Sequence, residues 1–148
     1  IKENIWYANP KQWHQVKPKL LRREQRAMSR FYPKMQMNTS GQGDLCWEGA
    51  VSTWAGNKYE ILVRYPDSFP YRPRKAFVVN PNIEESRHIY EDGHLCLFHK
   101  EDKTWQPETT ATTVMSWVSL WLHCCEVWQE TGEWPRREHD QIVVAPTY

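Results

Sequence analysis

Tyr59-Glu60-Ile61-Leu62-Val63-Arg64-Tyr65-Pro66-Asp67-Ser68-Phe69-Pro70-Tyr71-Arg72-Pro73 is the stretch on which the fold turns. Its first half alternates: Tyr59, Ile61, Val63 and Tyr65 fall on one side and Glu60, Leu62 and Arg64 on the other, the period of a strand with one buried face. Its second half cannot extend that ladder, because Pro66, Pro70 and Pro73 lack the N–H a paired strand needs. Reading backwards, the pattern predicts a strand at Leu45 to Trp54 and a shorter one at Lys34 to Asn38. Ser40-Gly41-Gln42-Gly43 and Gly56-Asn57 separate them and supply the positive-φ residues that hairpins require. Reading forwards, Lys75 to Val79 is a fourth short strand.

A helix is predicted from Pro18, a residue suited to a first turn, with Leu20, Leu21, Ala27, Met28 and Phe31 recurring at helical spacing until Tyr32-Pro33 stops it. The stretch also carries Lys17, Lys19, Arg22, Arg23, Arg26, Arg30 and Lys34 against a single acid, Glu24. Such a cluster is either a solvated face or a partner-binding one. Residues 1–16 show no period and read as an arm packed by Trp6, Tyr7 and Trp13. Thr112 or Thr113 is the expected cap of a long second helix. Its apolar stripe is Val114, Trp117, Val118, Trp121, Cys125 and Trp128, and it ends near Gly132, leaving 136–148 as a tail. Between them, residues 80–111 form a long segment with few period signals, and such loops are usually functional. Helix, four-stranded antiparallel meander, loop and helix make an α+β order, read as one domain over 1–148.

Composition narrows the partners. Hydrophobic residues are 40% and charged residues 25%, which suits a globular chain rather than a disordered one. The net charge is +1, and the basic residues are not interleaved with aromatics as a stacking groove needs, so nucleic acid is not an expected partner. No run approaches the ~20 apolar residues of a membrane span. The opening IKENIWYANP lacks the layout of a signal peptide, so a cytoplasmic location is expected. Cys46, Cys96, Cys124 and Cys125 fit that reading, since two adjacent cysteines do not resemble a secreted disulfide framework.

Arg87-His88-Ile89-Tyr90-Glu91-Asp92-Gly93-His94-Leu95-Cys96-Leu97 sets a thiol after a tight turn and among His88, His94 and His99. A thiol needs a route to its thiolate, and an imidazolium or a hydrogen-bond donor supplies one by lowering its pKa from about 8.5. On the residues alone two readings stand: a reactive Cys96, or a buried structural cysteine. A third is zinc, from His94-x-Cys96-x-x-His99 with His123-Cys124-Cys125. The paired units of structural zinc sites are missing, so neither metal nor cofactor is expected. The sequence has no serine-nucleophile motif and no phosphate-binding glycine loop.

Taken in order, Tyr65-Pro66-x-x-Phe69-Pro70-x-x-Pro73, Gly93-His94-Leu95-Cys96-Leu97, Trp105-Gln106-Pro107 and the long helix resemble the core of ubiquitin-conjugating enzymes, over residues 17–131. The resemblance implies a ubiquitin-conjugating-enzyme-like fold: N-terminal helix, four-stranded meander, active-site loop and long crossing helix. Two departures matter. Where the eukaryotic family has His-Pro-Asn, with Asn eight residues before the cysteine, this chain has His88 in Ser86-Arg87-His88. Asn80-Pro81-Asn82 does not fill the place, because Asn82 is fourteen residues before Cys96. A histidine there, with the closing Gly132-x-Trp134-Pro135 and little chain left for the family's final helices, is similar to bacterial members of the superfamily. Those occur in antiphage (CBASS) operons beside nucleotidyltransferases that make cyclic oligonucleotides.

The resemblance implies that Cys96 accepts the C-terminal acyl group of a partner, a cGAS-like nucleotidyltransferase, as a thioester and passes it to an acceptor. An activating enzyme is the other partner it implies. His88 then donates to the oxyanion, acts as a base toward the nucleophile, or only pins the loop. His94, His99, Asp102 and Trp105 would position substrate or the loop over it, with Glu91 and Asp92 as further acids. Lys19, Arg22, Arg23, Arg26 and Arg30 would dock the activating enzyme, and Cys124 and Cys125 would serve packing. The alternative from the same resemblance is an inert scaffold that holds a partner without chemistry.

Overall fold

The structure, a computed structural model, describes residues 12–41, 43–83, 88–97 and 109–135. The chain contains three helices, α1 (Trp13–Val16), α2 (Pro18–Phe31) and α3 (Ala111–Thr131), and four strands, β1 (Gln36–Thr39), β2 (Leu45–Ser52), β3 (Lys58–Arg64) and β4 (Lys75–Asn80), among the described residues. The strands form one sheet in the order β1-β2-β3-β4, each pair antiparallel, which is the meander expected. Val63 lies opposite Trp47 on one side and Ala76 on the other. Gly43 and Gly56 carry the two hairpin turns at φ +91° and +88°, conformations in which a Cβ would be strained. Trp54, expected at the end of the second strand, instead stands in the β2–β3 turn, fully exposed.

The alternation in β3 is realised in full: Tyr59, Ile61, Val63 and Tyr65 are buried. They join one core with Val114, Trp117, Val118 and Trp121 of α3 and with Trp13 of α1. Trp13 packs its ring on Tyr65 and Phe69, so this aromatic does fasten the N-terminal segment, while Trp6 and Tyr7 lie outside the described residues.

Both long helices depart from a simple stripe. In α3, Ala111, Met115, Leu122 and Cys124 are buried beside Val114, Trp117, Val118, Trp121 and Cys125, while Trp128 of the expected stripe is only half-buried. The buried residues widen the stripe to one half of the helix, and Ser119 and His123 on the other half are exposed. Its N-cap is Thr110 in extended conformation rather than Thr112 or Thr113, and Gly132 ends it at φ +78° with its N–H on the Trp128 carbonyl, 2.7 Å away. In α2, Phe31, the last residue of the helix, lies outside the core at 61% exposure, while Met28 in the same turn is buried. Glu24 takes an inward place at 1% exposure. Its carboxylate accepts from Arg74 Nε at 3.1 Å and from the Tyr65 hydroxyl at 2.8 Å, and that hydroxyl accepts from Trp47 Nε1 at 2.9 Å. A buried charge survives only when paired in this way. Arg74 also donates to the carbonyl of Thr109, immediately before the N-cap of α3, so one buried guanidinium ties α2 to the start of α3.

At the other end of α3, Glu126 accepts from Asn57 Nδ2 (2.6 Å), the Thr53 hydroxyl (2.8 Å) and the Tyr59 hydroxyl (2.9 Å). Burial works against this carboxylate, but the three donors outweigh it and hold its pKa below the usual range. Among the described residues, no helix is long and apolar enough to cross a membrane.

Candidate active site

The segment 88–97 is less featureless than its sequence. Ile89 and Leu95 form an antiparallel bridge, the Tyr90 N–H donates to the His94 carbonyl, and the Gly93 N–H donates to the Tyr90 carbonyl, both at 2.9 Å. Gly93 sits at φ +94°, which is why a glycine occupies the turn. The Leu95 N–H donates to the Ala76 carbonyl at 2.8 Å and fastens this small hairpin to β4.

Within that hairpin His88 and Cys96 are cross-strand partners: the Cys96 N–H donates to the His88 carbonyl at 2.9 Å. The same carbonyl accepts from Trp121 Nε1 of α3 at 3.2 Å. The eight-residue spacing legible in the sequence is therefore a main-chain pairing in space. It has a chemical consequence, because a nucleophile's own N–H is a frequent oxyanion donor and this one is already engaged. Any donor to a developing oxyanion must come from elsewhere.

Two stacked pairs involve residues of this hairpin. The His88 imidazole lies on Trp134, centroids 4.0 Å apart and planes 22° apart, with Trp121 edge-on to Trp134 at 5.5 Å. In the second pair, the Tyr90 ring lies on His94 at 4.2 Å and 15°, and the Tyr90 hydroxyl oxygen is 3.5 Å from Cys96 Sγ. Cys96 itself is only 5% exposed, so access to the sulfur is narrow.

Asp92 organises the second pair. One carboxylate oxygen accepts from the His94 N–H at 3.1 Å and contacts His94 Nδ1, and the other accepts from Lys75 Nζ at 2.9 Å. Burial would raise the Asp92 pKa, but the Lys75 and His94 donors prevail and hold it far below the carboxylate range. Burial pulls His94 below its usual value against the opposing pull of Asp92. Burial thus disfavours the imidazolium form of His94, the form that would favour a thiolate.

Of the residues singled out from the sequence, His88, His94 and Cys96 come together. His99, Asp102 and Trp105 lie outside the described residues. Lys19, Arg22, Arg23, Arg26 and Arg30 are all exposed on α2. Cys124 and Cys125 are buried in α3, no disulfide joins the four cysteines, and burial pushes the Cys46 and Cys125 thiols up to about 11. Among the described residues, no group of three or more His, Cys, Asp or Glu side chains is placed to hold a metal ion. Tyr90, Trp121 and Trp134 were not legible as site residues. The one available signal was for Tyr90, two residues from His88 and so on the same side of an extended segment.

A family model described as type II CBASS E2 protein, E2-CBASS, matches residues 24–141. The chain is 29% identical over 92 residues to a probable ubiquitin-conjugating enzyme E2 W-A of Danio rerio, covering 60% of each chain. It is 33% identical over 67 residues to ubiquitin-conjugating enzyme 15 of Arabidopsis thaliana, covering 45% of this chain and 40% of that protein. The chain thus spans less than two thirds of the length of these relatives. A helix leading into a four-stranded antiparallel meander, with a long helix closing the core, is the ubiquitin-conjugating α+β fold, and with the family model covering most of its length the chain belongs to the E2-CBASS family of type II CBASS E2 proteins.

Proposed function

We propose that this protein is a cysteine acyltransferase of an antiphage CBASS system. Cys96 takes the C-terminal acyl group of a cGAS-like nucleotidyltransferase as a thioester and yields it to an amine of an acceptor, in the cytoplasm. Covalent catalysis splits one hard acylation into two easier transfers. The observation that carries the reading is the pairing of Cys96 with His88 across the hairpin, 2.9 Å from N–H to carbonyl. With the Cys96 N–H engaged, the His88 ring is assigned to the oxyanion or to the entering amine. His88 holds the loop through its main-chain carbonyl, which any residue would offer, so that contact does not account for the imidazole. The exposed cations of α2 are assigned to docking an acidic surface of the activating partner, and His94, with His99, Asp102 and Trp105, to positioning around the thiol.

The rival is an inert scaffold of the same fold, and the low exposure of Cys96, 5%, is the observation in its favour. Intact-mass analysis under non-reducing conditions, after co-expression with the nucleotidyltransferase of the same operon, separates the two. The transferase reading expects a thiol-labile adduct that vanishes in Cys96→Ala. In His88→Ala it falls by about 10²-fold in rate, the usual cost of one oxyanion donor. Binding of the two proteins with no adduct on Cys96 would put the scaffold ahead.

A further inference from the structure

We propose that Tyr90 is a catalytic residue of this site, its phenol O–H donating to Cys96 Sγ whenever the sulfur is a thiolate. The inference deepens the transferase reading and rests on it for the transfer steps. Its ground is geometric. The Tyr90 oxygen lies 3.5 Å from Sγ, within reach of a sulfur hydrogen bond. The ring is held in that position from behind: His94 stacks on it at 4.2 Å, Asp92 holds His94, and Lys75 holds Asp92 at 2.9 Å. Among the described residues, the titratable and charged groups tied to Cys96 by named contacts include Tyr90, His88 through its main chain, and one layer out His94, Asp92 and Lys75. α3 contributes Trp121, which carries no charge.

A phenol serves both states of the sulfur. As a thiol, Cys96 donates its S–H to the phenol oxygen; once its proton has gone to solvent, the phenol O–H turns to donate to the sulfur. In charging, Sγ forms a bond to the donor's acyl carbon, and the donor's own leaving group departs with the electron pair of the bond that breaks. In discharge, the nitrogen of a primary amine bonds to that carbon, the C–Sγ bond breaks, the electron pair returns to Sγ, and the amine's proton passes to solvent. The phenol receives the thiolate at this second step. A hydrogen bond that makes a thiolate less basic improves it as a leaving group while slightly blunting it as a nucleophile. Loss of the phenol O–H is therefore expected to slow discharge more than charging. His94 acts through the Tyr90 ring and is a positioning residue.

Tyr90→Phe keeps the ring and its stack and removes only the O–H. The first readout is iodoacetamide labelling of the Cys96 peptide as a function of pH, followed by mass spectrometry. The midpoint is expected to rise by about one pH unit in Tyr90→Phe, the size of one hydrogen bond to a charged group. His94→Ala, which leaves the O–H but removes its support, is expected to give a smaller rise. The second readout charges the full chain with a short peptide thioester ending in glycine and discharges it to hydroxylamine. Charging near neutral pH is expected to fall about threefold, from the loss of thiolate partly offset by greater nucleophilicity. Discharge is expected to fall about tenfold. A folded Tyr90→Phe protein with an unchanged labelling midpoint overturns the proposal. A wild-type chain that never takes up the acyl group sinks the transferase reading, and the labelling midpoint still decides whether Tyr90 holds the sulfur.

Discussion

Two carboxylates in this protein are each held by a cation and a second donor, and they differ in their distance from water. The Glu24 side chain is 2% exposed and that of Arg74 0%, whereas Asp92 and Lys75 are 42% and 39% exposed. In the interior neither charge can be rehydrated, so the value of the Glu24 pair lies in what its breakage would cost. At Asp92 water competes for both partners, and a pair of this kind contributes roughly 0–1 kcal/mol. What Asp92 sets is orientation, fixing His94 and, through the stack, Tyr90. The same chemistry thus holds helix to core in one place and orients a side chain beside the thiol in the other.

The sharpest way to break that contrast is at Glu24. Glu24→Ala strands the Arg74 guanidinium in the core and is expected to cost about 3–5 kcal/mol in denaturant unfolding. Glu24→Leu combined with Arg74→Met should recover most of the loss, since an apolar pair of similar volume needs no partner. A single variant that lost under about 1 kcal/mol would move Glu24 into the same class as Asp92.

Trp134→Ala tests the other stack of the site. It removes the surface on which the His88 ring lies and should lower stability by about 0.5–1.5 kcal/mol beyond the area lost. Thioester formation should slow several-fold, with Trp134→Phe restoring most of both. Activity unchanged in a folded Trp134→Ala protein would show that the His88 ring needs no such support.

The smallest effect is expected at Asp92 and is best read through pH. Folding pulls His94 below its ordinary 6.5, so the unfolded chain takes up that proton more readily. The stability His94 contributes is whole above 6.5 and is lost as the pH falls toward its lower folded midpoint. Folding likewise depresses Asp92, whose contribution is whole above its ordinary 3.8 and is lost only in stronger acid. Asp92→Asn should therefore change stability by less than about 1 kcal/mol at neutral pH. In the same variant the NMR titration of His94 should move to lower pH, because the carboxylate that favours its proton is gone. A rise in that midpoint would contradict the assigned pairing.

Much of this molecule was open to a reader of the chain. Alternation in β3 was visible because a strand's period is two and one face is buried, and the hairpin turns were visible because Gly43 and Gly56 occupy conformations other residues avoid. The thiol at Cys96 and the histidine eight residues before it were visible as spacing, and spacing is what a short hairpin turns into pairing. Less was legible at the margins of a helix's apolar stripe. The burial of Ala111, Met115, Leu122 and Cys124 widens the stripe of α3 and follows from what packs on it, not from its own period alone.

The order of elements, the strand faces, the turns and the family to which the chain belongs were determined by the sequence alone, since each depends on neighbours a few residues apart or on motifs in a fixed order. Tertiary structure decided that Glu24 turns inward to meet Arg74, 50 residues away, and that the His88 carbonyl meets Trp121, 33 residues away. It also decided that Tyr90 and Trp134 close on the thiol and the imidazole from different elements. Local periodicity records which residues share a face. Which face meets which is set by the burial of apolar surface and the pairing of buried charge, and these depend on segments distant in the chain.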